Sequence, residues 1–108
     1  MRKAKIFFKT DLAGILTEDE TGYHFRYEPE YLTKENAEPV SLTLSLSKGT
    51  YSDKVLLPFF DGLIPEGWLL EIAEKNWKLD ARDRMGILLA TCRDCIGAVS
   101  VEPVNELR

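Results

Sequence analysis

Val55-Leu-Leu-Pro-Phe-Phe-Asp-Gly-Leu-Ile-Pro-Glu-Gly-Trp-Leu-Leu70 is the densest apolar stretch of the chain, with ten large hydrophobic residues among its sixteen. Pro58, Gly62, Pro65 and Gly67 interrupt it. A proline inside a helix removes a backbone donor and clashes with the preceding turn, and glycine loses the most backbone freedom on folding, so no single helix can run through. The spacing predicts a helix, a tight turn and a second helix: a shaped corner that either fills a core or meets a partner. Pro65 suits a first helical position, and Glu66 puts a negative charge where the helix dipole favours one.

Working outward on the C-terminal side, residues 68–79 read as an amphipathic helix. At about 100° per residue, Leu69, Leu70, Ile72, Ala73 and Trp77 share one arc, broken by Asn76, while Glu71, Glu74, Lys75 and Lys78 take the other. Trp68 falls at the edge of the apolar arc, which predicts partial burial. Asp80 is the expected cap of a third helix over 81–92, with Met85, Leu88, Leu89 and Cys92 at core spacing. Gly86 in its interior costs about 1 kcal/mol relative to Ala, which predicts close packing against a neighbour. Residues 97–101 read as a closing strand.

On the N-terminal side the corner's first helix is expected to be capped by Ser52 or Asp53, with Pro58 in its first turn and Gly62 after its end. Before it lie strands. Residues 3–10 and 12–17 predict a hairpin, and the acidic 18–22 a turn. Tyr23-His-Phe-Arg-Tyr27 alternates aromatic and polar residues with the period of a half-buried strand, leaving His24 toward solvent. Residues 28–39 predict a surface loop with one turn near Tyr31 and Leu32. Val40-Ser-Leu-Thr-Leu-Ser-Leu-Ser47 alternates perfectly and predicts an antiparallel strand covered on one face. The expected fold class is therefore α+β: one domain over 1–108, with an antiparallel sheet of about five or six strands packed against about three helices in the second half.

The 108 residues suffice for one buried core, and 44% hydrophobic with 30% charged residues argues against disorder. A net charge of −4 with scattered Lys and Arg excludes an electrostatic footprint for nucleic acid. No run approaches the roughly 20 apolar residues of a membrane helix, and Ile6-Phe7-Phe8 is too short for a signal-peptide core, so the expected location is cytoplasmic.

Catalytic groups are sparse. His24 is the sole imidazole, and on a strand face it is more simply a solvated polar residue than a catalyst. There is no glycine-rich phosphate loop, and Glu66, Glu71 and Glu74 suit a helix start and a wet face. Cys92-Arg-Asp-Cys95 follows a helix instead of opening one, which favours a structural reading over a redox one, and two cysteines with one histidine cannot assemble a four-ligand zinc site. No cofactor is expected. What remains is surface. Trp68 is either a core residue or an aromatic anchor for a partner.

The run Phe59-Phe-Asp-Gly-Leu-Ile-Pro-Glu-Gly67, with Arg93-Asp-Cys-Ile-Gly-Ala-Val99, resembles the N-terminal subdomain of HipA-type serine/threonine kinases, the toxins of bacterial persistence modules. Leu12-Ala-Gly-Ile-Leu16 and Val40-Ser-Leu-Thr-Leu-Ser-Leu46 followed by Tyr51-Ser52 fit the same pattern. In those kinases a larger core with the nucleotide loop, catalytic aspartate and metal ligands follows, and nothing of it stands after Val104. The resemblance thus implies a standalone subdomain of the HipS type, an antitoxin and not an enzyme. It implies binding to a separately made HipT-like kinase whose family targets are aminoacyl-tRNA synthetases, with inhibition by blocking its active site or nucleotide loop. A HipB-like helix-turn-helix protein is implied as a further member of the complex. Phe59, Phe60, Ile64, Pro65, Glu66, Gly67 and Trp68 form the candidate partner-binding set, with Trp68 as anchor. The alternatives are an activating or scaffold subunit that completes a split kinase and, last, a thiol-redox enzyme.

Overall fold

The computed structural model describes residues 2–65, 67–68, 82–91 and 98–104. Five strands, β1 (Arg2–Phe8), β2 (Asp11–Asp19), β3 (Gly22–Tyr27), β4 (Thr50–Asp53) and β5 (Val99–Pro103), form one antiparallel sheet in the order β4-β3-β2-β1-β5. Helices α1 (Pro29–Leu32), α2 (Pro58–Asp61) and α3 (Arg84–Thr91) complete the described elements, so the architecture is the expected α+β.

Period-two alternation explains which side of the sheet is covered. Ala4, Ile6, Leu16, Phe25 and Val101 are fully buried and Tyr27 nearly so, while Lys3, Lys5, Thr17, His24 and Arg26 take the opposite positions. The helices bury Tyr31, Phe60, Met85, Ile87 and Leu88 in the same cluster as the inward residues. At its centre the Phe25 ring meets Tyr27 edge-on at 4.9 Å and Phe60 at 5.3 Å. Gly14 in β2 makes room for that ring: a Cβ there would lie 2.7 Å from it.

The segment 40–47 departs from its sequence pattern. It is not a strand, and only an isolated bridge joins Ser41 to Leu44. The cause is the buried hydroxyl of Tyr27, which accepts the Val40 N–H at 3.0 Å and donates to the Leu44 carbonyl. The Leu44 N–H closes a turn onto the Ser41 carbonyl at 3.1 Å, and Ser41 Oγ accepts the Thr43 N–H at 3.2 Å. Val40 and Leu44 are thereby buried, while Leu42 is 97% exposed. The strand beside β3 is instead β4, ten residues beyond Val40.

Element ends also shift. Ser52 and Asp53 belong to β4, and α2 begins at Pro58 with Leu57 at its cap position, without a side-chain cap. Helix α3 begins at Arg84, where the expected helix over 81–92 had an earlier start. Asp83 Oδ1 accepts the Gly86 N–H at 3.0 Å and so caps α3; Asp80, the expected cap, lies outside the described residues. Gly86 is tightly packed as its position implied: a Cβ would sit 2.4 Å from Asp83 Oδ2 and 3.2 Å from Arg2 Nη1. The closing strand runs two residues later than its pattern indicates. Residues 69–79, Cys92 and Cys95 lie outside the described residues.

Tyr27→Phe removes both hydroxyl bonds and leaves a buried N–H and a carbonyl without their partner. A loss of about 1–3 kcal/mol is expected, read as a lower urea midpoint with unchanged slope, together with faster amide exchange at Val40 and Leu44.

Candidate interaction surface

The corner is built from α2 outward. Within α2 the Asp61 and Gly62 N–H groups bond the Leu57 and Pro58 carbonyls at 3.0 and 2.9 Å. The chain then tightens, with Leu63 N–H to the Phe60 carbonyl at 3.0 Å and Ile64 N–H to the Asp61 carbonyl at 3.2 Å. Pro65 has no N–H to continue the series, and a new turn starts, with the Trp68 N–H on the Pro65 carbonyl at 3.1 Å. Pro58, Gly62 and Pro65, three of the four residues read as breaks in the sequence, are the points where the hydrogen-bond pattern resets.

The candidate residues divide between root and surface. Phe60 is fully buried and Ile64 nearly so, which makes them the root of the corner in the core. Phe59 is partly buried, edge-on to Phe60 at 5.1 Å. Trp68 is partly buried, as its place at the arc's edge implied, and packs one side against the core. Pro65 is partly buried and Gly67 exposed, and a Cβ on Gly67 would meet nothing within 4 Å. Glu66 lies outside the described residues. The accessible part is thus an apolar step of Phe59, Pro65 and Trp68 with open space above Gly67.

Ion pairs surround the corner's base. Arg84 Nε donates to Asp61 Oδ1 at 2.6 Å, joining α3 to the last residue of α2. One residue earlier, Asp83 receives both ends of the Arg2 guanidinium, at 2.9 Å to Oδ2 and 2.7 Å to Oδ1. The same guanidinium donates to Glu18 at 2.6 and 3.0 Å, and the Tyr23 hydroxyl donates to Glu18 as well. Hydrogen bonds from Arg2 hold the Glu18 and Asp83 carboxyls below their usual range, and Arg2 is in turn raised by Asp83 first and Glu18 second. Sequence spacing gives no sign of this cluster, because Arg2 and Asp83 are 81 positions apart.

His24 lies on the face away from the core. Its Nδ1 is 2.7 Å from Ser52 Oγ, and its Nε2 is 2.9 Å from Thr21 Oγ1 and 3.1 Å from Asp19 Oδ1. Asp19 is lowered to about 2, chiefly by hydrogen bonds from the Thr21 hydroxyl and N–H. This ties the β2–β3 turn to β4. Among the described residues no group of three or more His, Cys, Asp or Glu could hold a metal ion, and no helix is long and apolar enough to cross a membrane.

A one-sided antiparallel sheet with helices on its covered face, and a corner rooted in the core that carries a half-buried tryptophan, defines an α+β fold. The chain belongs to the HipA N-terminal domain family, whose model matches residues 4–102. A protein of Haemophilus influenzae described only as uncharacterized is 31% identical over 106 residues, covering 98% of this chain and 96% of its own length. The solved N-terminal domain of HipA toxin superposes with a TM-score of 0.76 at 27% identity, over 99% of this chain and 96% of that one.

The carboxyls of Glu18 and Asp83 are depressed in the folded state, so their contribution to stability is complete above their ordinary values of 4.5 and 3.8 and is lost as pH falls through the lowered ones. Arg2→Gln removes the cause. It is expected to lower Tm at neutral pH and to flatten the decline of Tm below about pH 4.5, measured by calorimetry across the acid range.

Proposed function

We propose that the chain is an antitoxin of the HipS type, which binds a separately encoded HipA- or HipT-type serine/threonine kinase and holds it inactive by occluding its active site. The observation that carries this reading is the corner, where Phe60 and Ile64 are fixed in the core while Trp68 has one side packed and the other available. An aromatic held this way enters a partner's cleft with little conformational entropy left to lose, which is the character of interface hot spots. Family membership supports the choice of partner, since the domain takes its name from the toxin of which it forms the N-terminal part. The Haemophilus relative supports a separate existence, because its match accounts for 96% of its own length. On this reading the chain carries no catalysis of its own and works in the cytoplasm, where a HipB-like helix-turn-helix protein joins the same complex.

The test is a phosphorylation assay of a HipT-like kinase with and without the chain. Inhibition by the wild type is expected, whereas a rise in activity would favour a subunit that completes a split kinase. Trp68→Ala should leave the fold intact and cost about 2 kcal/mol or more of binding, the hot-spot scale; undiminished inhibition by this variant would remove Trp68 as the anchor. Gly67→Gln offers a complementary probe. The open space at Gly67 should accept the side chain in the free protein, so an unchanged Tm with weakened binding is expected from calorimetry and titration.

A further inference from the structure

The corner's base is tied down by two ion pairs on consecutive residues. Asp61 is the last residue of α2, and its two acceptors serve different elements: its carbonyl takes the Ile64 N–H at 3.2 Å and its carboxylate takes Arg84 Nε at 2.6 Å. The first of these bonds starts the turn that leads to Pro65 and Trp68. The second reaches the first residue of α3. Asp83, immediately before it, is gripped by both ends of the Arg2 guanidinium and also caps α3 through Gly86. Arg2 itself sits on the sheet, shared with Glu18 of β2. Two sets of charge contacts, Glu18–Arg2–Asp83 and Arg84–Asp61, are therefore joined through the Asp83–Arg84 backbone and lead from β2 to the residue at which the corner departs.

We infer that Asp61 and Arg84 are positioning residues for Trp68: their ion pair fixes the direction in which the corner leaves α2, against a helix that the Arg2–Asp83 pair holds to the sheet. This rests on the binding role assigned to the corner. The pair's place explains the inference better than stability does. The Arg84 and Asp61 side chains are 39% and 41% exposed, so their attraction is screened and adds little to folding. The core residues Phe60 and Ile64 already secure that the corner forms. Those apolar contacts are non-directional, however, and a short charge-assisted hydrogen bond at the point of departure supplies direction. A device that contributes little stability but sets an angle belongs at a presentation site.

Two measurements test this. The first needs no partner: with 5-fluorotryptophan incorporated, the Trp68 resonance is assigned by its loss in Trp68→Ala and followed in the free chain. Arg84→Gln and Asp61→Asn are expected to shift or broaden it with little change of Tm, and the reversed pair Asp61→Arg with Arg84→Asp to restore it. An unmoved resonance overturns the positioning role whatever the kinase does. The second is binding to the kinase, where Arg84→Gln is expected to weaken affinity about 2- to 5-fold, the scale of an exposed ion pair, and to have no further effect in the Trp68→Ala background. Equal losses in both backgrounds would show a role independent of Trp68 and overturn the inference. Wild-type affinity in Trp68→Ala itself would instead refute the binding role of the corner, while the fluorine resonance would still decide the positioning.

Discussion

The contact between the Phe25 and Phe60 rings, 5.3 Å apart, is where sheet and corner become one structure. Phe25 is an inward residue of β3, and Phe60 is the inward residue of a four-residue helix that could not persist alone, since isolated helices of this length do not form in water. Burying an aromatic side chain of this kind contributes about 1.5–3 kcal/mol, more than an exposed ion pair or a single net hydrogen bond supplies. Helix α2 therefore exists because Phe60 is buried, and everything the corner presents depends on that placement. Gly14 takes part at a distance, because only a residue without Cβ lets the Phe25 ring lie over β2.

Two tyrosines extend the same core into the loops. Tyr27 and Tyr31 stack at 6.1 Å, and each sends its hydroxyl to the backbone of an irregular segment: Tyr27 to Val40 and Leu44, Tyr31 to Glu38. A loop over a covered sheet face must satisfy its backbone groups without a ladder. Here phenolic oxygens do so, and the ring bodies remain apolar filling. This division of one side chain into a buried plate and a polar tip accounts for the largest difference between pattern and structure.

That difference shows what a sequence carries. The alternation at Tyr23, Phe25 and Tyr27 was readable because a strand's neighbours decide its faces, and Pro58, Gly62, Pro65 and Gly67 were readable because each acts on its own backbone. The partial burial of Trp68 followed from helical geometry alone. Residues 40–47 have a better strand pattern than β4, yet a hydroxyl thirteen residues upstream of Val40 outcompetes that preference, and β propensity is weak enough for such context to override it. The Arg2, Glu18 and Asp83 cluster and the Asp61–Arg84 pair were illegible for a related reason: charged residues are common on any surface, and nothing local marks which of them meet. Within the candidate set, helical position already sets Trp68 apart as the partly exposed residue, whereas Phe59 and Phe60 both read as core; only the packing assigns Phe60 and Ile64 to the root and leaves Phe59 partly buried.

The separation of forces follows from magnitudes. Apolar burial is large and tolerant of angle, so it decides whether the corner forms; a charge-assisted hydrogen bond is small in water but angular, so it decides where the corner points. A surface that must keep an aromatic side chain half out of the core cannot rely on hydrophobic contact to aim it, because the same force draws the ring inward. Opposing that pull requires polar contacts at the base of the segment, outside the core, and Asp61 and Arg84 occupy that place. The root at Phe60 and Ile64 and the ion pair at Asp61 then act on different properties of one short segment, which is why a stretch that reads as merely apolar can both complete a core and hold a residue at its surface.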